Sequence, residues 1–190
     1  MYYKKFLILF IFFLYSCQPL ELMSPVQLDT SLLQKISINS QDIIIQKKYN
    51  PVFSNENIED QLIIKPIVMI ESWIDSNIKS FGNQNNFVIT IYEASITKKE
   101  IKNIEAKKYE EKTLFYYEIL FLVEYELYDD NNYLLANTTV ETSRSTTSQK
   151  YISLNEKEII INDLLNKAVR DFVNESIVMT KLYMNEYLQY

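Results

Sequence analysis

Cys17 is the only thiol in this 190-residue chain, and the chain has no histidine. A lone cysteine has no partner for a disulfide. Without histidine, neither a nucleophile–imidazole pair nor the common zinc, copper and haem ligand sets can be assembled. What remains for chemistry is carboxylates, ammonium groups and hydroxyls. Two carboxylates at the right separation can hydrolyse a glycoside, but 25 acids scattered along the chain single out no pair. Asp129-Asp130-Asn131-Asn132 supplies oxygen donors of the kind calcium prefers. It lacks the glycine, spacing and closing glutamate of a calcium loop and reads as a solvated turn. One glycine in the whole chain leaves no glycine-rich cradle for phosphates or dinucleotides. The residue types therefore predict no catalytic set, no metal and no cofactor. Enzymatic activity is not expected.

The surroundings of Cys17 give it a different chemistry. Lys4 and Lys5 precede an apolar run from Phe6 to Tyr15, and the small residue Ser16 stands immediately before the cysteine. This is the layout of a secretory signal. Ten apolar residues rise only about 15 Å as a helix, half of the ~30 Å hydrocarbon core, so a permanent span is disfavoured. Leu14-Tyr15-Ser16-Cys17 resembles the lipobox of bacterial lipoproteins, with Tyr15 standing where a small or branched residue is usual. The resemblance implies cleavage before Cys17 and attachment of fatty-acyl chains, palmitate among them, to that residue. Each buried methylene contributes ~0.8 kcal/mol, and two or more chains give an anchor that does not leave the membrane.

These readings divide the chain into a signal peptide over 1–16, a lipidated Cys17 with a flexible tether over 17–30, and one periplasm-facing domain over 31–190. Pro19 and Pro25 and the lack of any period mark the tether. Gln18, rather than aspartate, follows the cysteine, which under the enteric sorting rule points to the outer rather than the inner membrane. Removing Lys4 and Lys5 with the signal leaves 17 basic against 25 acidic groups, a net charge of −8. Such a surface repels nucleic acid and anionic lipid headgroups.

Behind the tether, periodicity sets out the elements. Ile36, Ile38 and Ile43 to Ile45 suggest one strand with a break near Asn39-Ser40, followed by a polar connection from Tyr49 to Asp60. Pro66 suits the first position of a helix, on which Ile67, Ile70, Trp73, Ile74, Ile78 and Phe81 share a side. Gly82 would end that helix with a positive φ. Phe87 to Ile96 alternates as a strand, and the charged stretch Thr97 to Lys112 reads as a solvated excursion, partly helical. Phe115 to Tyr128 is the clearest strand: every odd residue is apolar, and Glu118, Glu124 and Glu126 fall on the even face. After a turn at 129–132, Tyr133 to Thr146 returns as its hairpin partner. Ser153 or Asn155 can cap a last helix from 156 to 187, roughly 48 Å long, whose end with Tyr183, Met184, Tyr187 and Leu188 is expected to project as a contact surface. The fold class is α+β: an antiparallel sheet of about four strands with two helices on one face, the C-terminal one long.

Trp73, Glu93-Ala94-Ser95, Ser143-Arg144-Ser145-Thr146 and Ser153-Leu154-Asn155-Glu156-Lys157-Glu158 together resemble the pattern of a family of uncharacterised alphaproteobacterial envelope lipoproteins. That family has a Trp-bearing helix, a "DAS" strand and an "RSRT … LNERE" segment before a long C-terminal helix. Where its pattern has a first arginine, this chain has Thr142 or Ser143. In layout the chain is also similar to the auxiliary lipoproteins of ABC-type lipid transporters and to the lipoprotein partner of the lipopolysaccharide translocon. The resemblance implies a small domain that binds rather than catalyses: an envelope assembly or transport accessory held at the membrane through Cys17 and engaging an envelope protein. The alternative is a lipid or small-molecule binder with Phe115, Tyr117, Phe121 and Tyr125 lining a groove. Arg144, set among Ser143, Ser145, Thr146, Thr147 and Ser148, is a candidate contact for an anionic group.

Overall fold

The computed structural model of the protein describes residues 28–52 and 54–189. The signal segment, Cys17 and most of the tether (residues 1–27) lie outside those residues. Strand β5 (Thr113–Tyr128) is the centre of the domain. Its odd residues Tyr117, Ile119, Phe121, Val123, Tyr125 and Leu127 are all buried, and its even residues are all partly exposed. Strand β6 (Leu134–Gln149) returns antiparallel to it. Between them the Asp129 carboxylate accepts from the Asn131 and Tyr133 backbone N–H groups, and Asn132 takes a φ of 63°. Those hydrogen bonds hold the Asp129 carboxyl below its usual range. Strand β4 (Asn86–Lys102) lies antiparallel on the other side of β5. Strand β2 (Asp42–Lys47) joins β4 in parallel, giving a four-stranded sheet in the order β2-β4-β5-β6.

One irregularity keeps this sheet one-sided. The β4–β5 register slips between Ile91 and Glu93, leaving Tyr92 without an opposite residue. Before the slip, Phe87, Ile89 and Ile91 face the core; after it, Ala94 and Ile96 do, and all five are fully buried. A single extra residue exchanges the two faces of a strand, so the bulge absorbs the change of parity in the sequence. The strand then continues through Lys102, and Asn103 to Lys112 form only the connection to β5. The expected excursion at Thr97 to Lys102 is therefore strand. Backbone pairing with Thr113–Glu118 does not depend on side-chain charge, and both sheet faces are partly exposed at this end.

Helix α1 (Pro66–Asn77) begins at Pro66 as expected but ends before Ile78. The Asn77 side chain donates to the Thr30 carbonyl at 2.6 Å and to the Trp73 carbonyl at 3.3 Å. The chain then extends as β3 (Ile78–Ser80), parallel to β1 (Ile36–Ile38). Ile78 is buried in the strand as it would have been in the helix, which is why the periodicity runs past the true end. Gly82 is not the helix cap, and its φ is not positive. It is small because β1 ends against it. A Cβ there would lie 2.1 Å from the Asn39 side-chain oxygen and 3.0 Å from the Ser40 nitrogen. The break near Asn39-Ser40 separates β1 and β2 into different sheets.

Helix α2 (Leu154–Tyr183) opens on a capping box: Ser153 Oγ accepts from the Glu156 N–H while the Glu156 carboxylate accepts from the Ser153 N–H. Its thirty residues span about 45 Å and lie along β6 and β5. Ile161, Leu165, Val169, Phe172 and Val173 enter the core, where Phe172 meets Trp73 of α1 at 5.8 Å and Phe121 of β5 at 5.6 Å between ring centroids. Both helices thus cover the odd face of β5, as the α+β reading requires. The far end does not project. Met184 is buried, a 3-10 turn (Asn185–Tyr187) reverses the chain, and β7 (Leu188–Gln189) pairs antiparallel with β1. The resulting three-stranded sheet, β3-β1-β7, satisfies backbone groups that the two-stranded pair would leave open. Leu28 packs on the core and Thr30 is buried, its hydroxyl 2.9 Å from Ser72 Oγ, so the last residues assigned to the tether already belong to the domain.

Candidate functional site

The aromatic residues expected to line a groove are core. Tyr117, Phe121 and Tyr125 are buried beneath α2, and Phe115 packs against the same cluster. The Tyr125 hydroxyl lies 3.0 Å from Ser176 Oγ, and burial pushes it well above the usual phenol range. Over Tyr117, Phe121 and Tyr125 the long helix fills the space that a ligand would need.

Arg144 stands on the helix-facing side of β6, opposite Ile119, and its guanidinium pairs with the Asp171 carboxylate of α2. Both side chains keep about 40% of their exposure. The arginine ties the edge strand to the helix, and that carboxylate takes part of its donor set. The expected serine and threonine neighbours divide between faces: Thr146 and Ser148 alternate with Arg144 on the helix side, and Ser143, Ser145 and Thr147 point away from it. Cys17, the other residue singled out from the sequence, lies outside the described residues.

The surface left open is the other face of the four-stranded sheet. No helix of the described residues covers the even side of β5, where Leu120 and Leu122 sit between Glu118 and Glu124. Register adds Glu93 from β4 and Glu141 from β6 beside Leu122, and Glu126 further along. Two of these carboxylates are positioned by tyrosines. Tyr92, the bulged residue, donates to Glu124 at 2.8 Å and accepts from Lys48 at 3.3 Å; Tyr128 donates to Glu126 at 2.7 Å. That bond holds the Tyr128 hydroxyl above its usual range, with lesser contributions from burial and the neighbouring charge. Lys99 is the basic residue that the strand register places on the same face. The result is an acidic surface with a leucine centre, bordered by β6 as a sixteen-residue edge strand that contains neither lysine nor proline. Its sequence signal was present in the even positions of β5. The contribution of Tyr92 was not, because it follows from the bulge.

Glu59 also escapes sequence reasoning. In a polar connection it reads as solvated, yet it is fully buried, accepting from the Tyr49 hydroxyl and from Asn57 Nδ2 at 3.2 Å. Burial and this carboxylate push the Tyr49 hydroxyl upward. The pair fastens the 48–58 segment to the domain. Among the described residues no group of three or more acids, cysteines or histidines could hold a metal ion, and no helix is long and apolar enough to cross a membrane.

No family model matches the chain, and no curated protein matches it. Among solved structures, a minor lipoprotein from Acinetobacter baumannii aligns at 10% identity over 80% of this chain and 98% of that one, with a TM-score of 0.39. Rare lipoprotein B from Shewanella oneidensis aligns at 10% identity over 74% of this chain and 96% of that one, with a TM-score of 0.36. The α+β class of this chain rests on its own sheet order and helix placement.

Proposed function

We propose that the protein is an envelope lipoprotein, anchored by acyl chains on Cys17 in the outer membrane and facing the periplasm. Its domain works by binding another envelope protein, not by catalysis, as an accessory in assembly or transport. The observation that carries this reading is the open face of the four-stranded sheet. One side of the sheet buries Tyr117, Phe121 and Tyr125, and the other offers Leu120 and Leu122 ringed by Glu93, Glu118, Glu124 and Glu141, with an unpaired edge at β6. An exposed sheet face with an apolar centre and a charged rim suits protein contact. Its charge calls for a partner with basic and aliphatic side chains, and β6 can extend the contact by accepting a strand.

A photo-crosslinking residue placed at Leu122 or Thr139 on the open face, and at Lys167 on the helix side, tests this in intact cells. The expected result is one adduct of discrete mass from the first two positions, absent from the third and abolished by Glu118→Lys with Glu124→Lys. Adducts that are equal from both faces, or that survive the charge reversal, would refute the assignment of that surface. Fatty-acid labelling that persists in Cys17→Ala would separately refute the anchor.

A further inference from the structure

A cavity of about 240 Å³ lies where the first turns of α2 meet the short 3-10 turn Glu59–Gln61. Ile58, Leu62 and Ile161 form an apolar floor, and Ile63 and Leu154 stand at its mouth. Those last two are 72% and 81% exposed, apolar side chains held in water beside an apolar hollow. Lys157 crosses the opening and donates to the neutral Gln61 Oε1 at 3.3 Å.

Lys157 is the one base that lines this cavity. Burial, and to a lesser degree the charge of Lys98 on the helix-facing side of β4, lowers the affinity of Lys157 for its proton. Among the described residues neither lysine makes an ion pair; Lys98 lies over the Phe115 ring at 4.7 Å instead. Glu158 is the one acid that lines the space, and it pairs with neither. A partly buried ammonium that is hydrogen-bonded to a neutral amide at the mouth of an apolar hollow is destabilised until an anion arrives.

We propose that this cavity binds a single-chain anionic amphiphile, whose tail packs on Ile58, Leu62 and Ile161 while its acid group pairs with Lys157. Size sets the class. Small-molecule pockets usually measure about 300–1,000 Å³, so this one admits one medium acyl tail and not two. Ile63 and Leu154 would close over the tail. The site is remote in character from the acidic sheet face: it is concave, basic at its rim and on the helix-covered side. Its occupancy and the protein-binding reading stand or fall separately.

The chain from Gln18 to Tyr190, which holds every core residue, can be titrated calorimetrically with decanoate, decanol and decyltrimethylammonium below their micelle concentrations. Decanoate is expected to bind saturably at one site, decanol more weakly, and the cation not at all. Lys157→Gln should weaken decanoate by about five- to tenfold, the scale of one partly solvated charge-assisted hydrogen bond. Ile63→Ser should weaken it without altering the thermal melt, since that side chain is already exposed. Decanoate that fails to saturate, a cation that binds as well as the acid, or a Lys157→Gln variant of unchanged affinity would each overturn the proposal.

Discussion

The contact between Tyr125 and Ser176 joins the central strand to the long helix, and its hydrogen-bond arithmetic can be worked out from the structure. Both residues are fully buried, and their oxygens lie 3.0 Å apart. Ser176 Oγ is also 2.8 Å from the Phe172 carbonyl, which can only accept. The single serine proton therefore goes to Phe172, and the tyrosine hydroxyl donates to Ser176. Tyr125→Phe removes a donor but leaves Ser176 satisfied, for a loss of about 0.5–1.5 kcal/mol. Ser176→Ala removes the only acceptor of a buried phenol, for a loss of about 1–3 kcal/mol. With both changes no polar group is stranded, so the double variant should resemble Tyr125→Phe alone. The cycle then carries a coupling equal to the Ser176→Ala loss, about 1–3 kcal/mol.

In a domain of this length each kcal/mol moves the melting temperature by about 2–4 °C, so calorimetry at neutral pH and urea titration can both resolve the four corners. Burial of the same phenol sets an alkaline dependence. Burial raises the Tyr125 phenol, and burial with Glu59 raises that of Tyr49. The unfolded chain begins to release these protons near pH 10, where the folded state still holds them. Their stabilisation is complete below that pH and falls as pH rises, and Tyr125→Phe should flatten the fall. A double variant whose loss equals the sum of the singles would refute the assigned proton direction, and an alkaline slope unchanged in Tyr125→Phe would refute the elevation of that phenol by burial.

Gly82→Ala should destabilise the β1–β3 corner, and Gly82→Ala with Asn39→Ala should recover only part of the loss. The Asn39 oxygen can be removed, but the Ser40 nitrogen at 3.0 Å is backbone; thermal melts of both variants check this. Ser153→Ala should cost about 1 kcal/mol by deleting the cap of α2, read by chemical denaturation. Hydrogen bonds from Ser153 depress the Glu156 pKa, so that part of the stability is present at neutral pH and lost as pH falls through the folded-state value. Ser153→Ala should therefore also flatten the acid limb of the stability profile. Arg144→Ala should change stability by less than about 1 kcal/mol, since the pair with Asp171 is partly solvated; a larger loss by thermal melting would show that the ion pair is essential to the seating of α2.

Much of this domain is legible along the chain. β5 could be read because strict alternation over fourteen residues fits one periodicity only, and α2 because a cap, acidic first turn and 3–4 spacing agree. Both are set by local geometry, which neighbouring residues encode. The absence of histidine and of a second cysteine likewise limits the available chemistry before any fold is known, and the expectation of a signal and lipid anchor up to Cys17 rests on local pattern alone. Tertiary structure decided the rest. Whether Ile78 continues a helix or starts a strand depends on Asn77 reaching Thr30, 47 residues away, and on β1 offering a parallel edge. Gly82 is required by the approach of Asn39 and Ser40, not by its own φ. The return of Met184 and Leu188, the burial of Glu59, and the hydrogen bond of Lys157 to Gln61 all join residues apart in sequence. Periodicity reports which side of an element is apolar. What covers that side is settled only when the chain has folded.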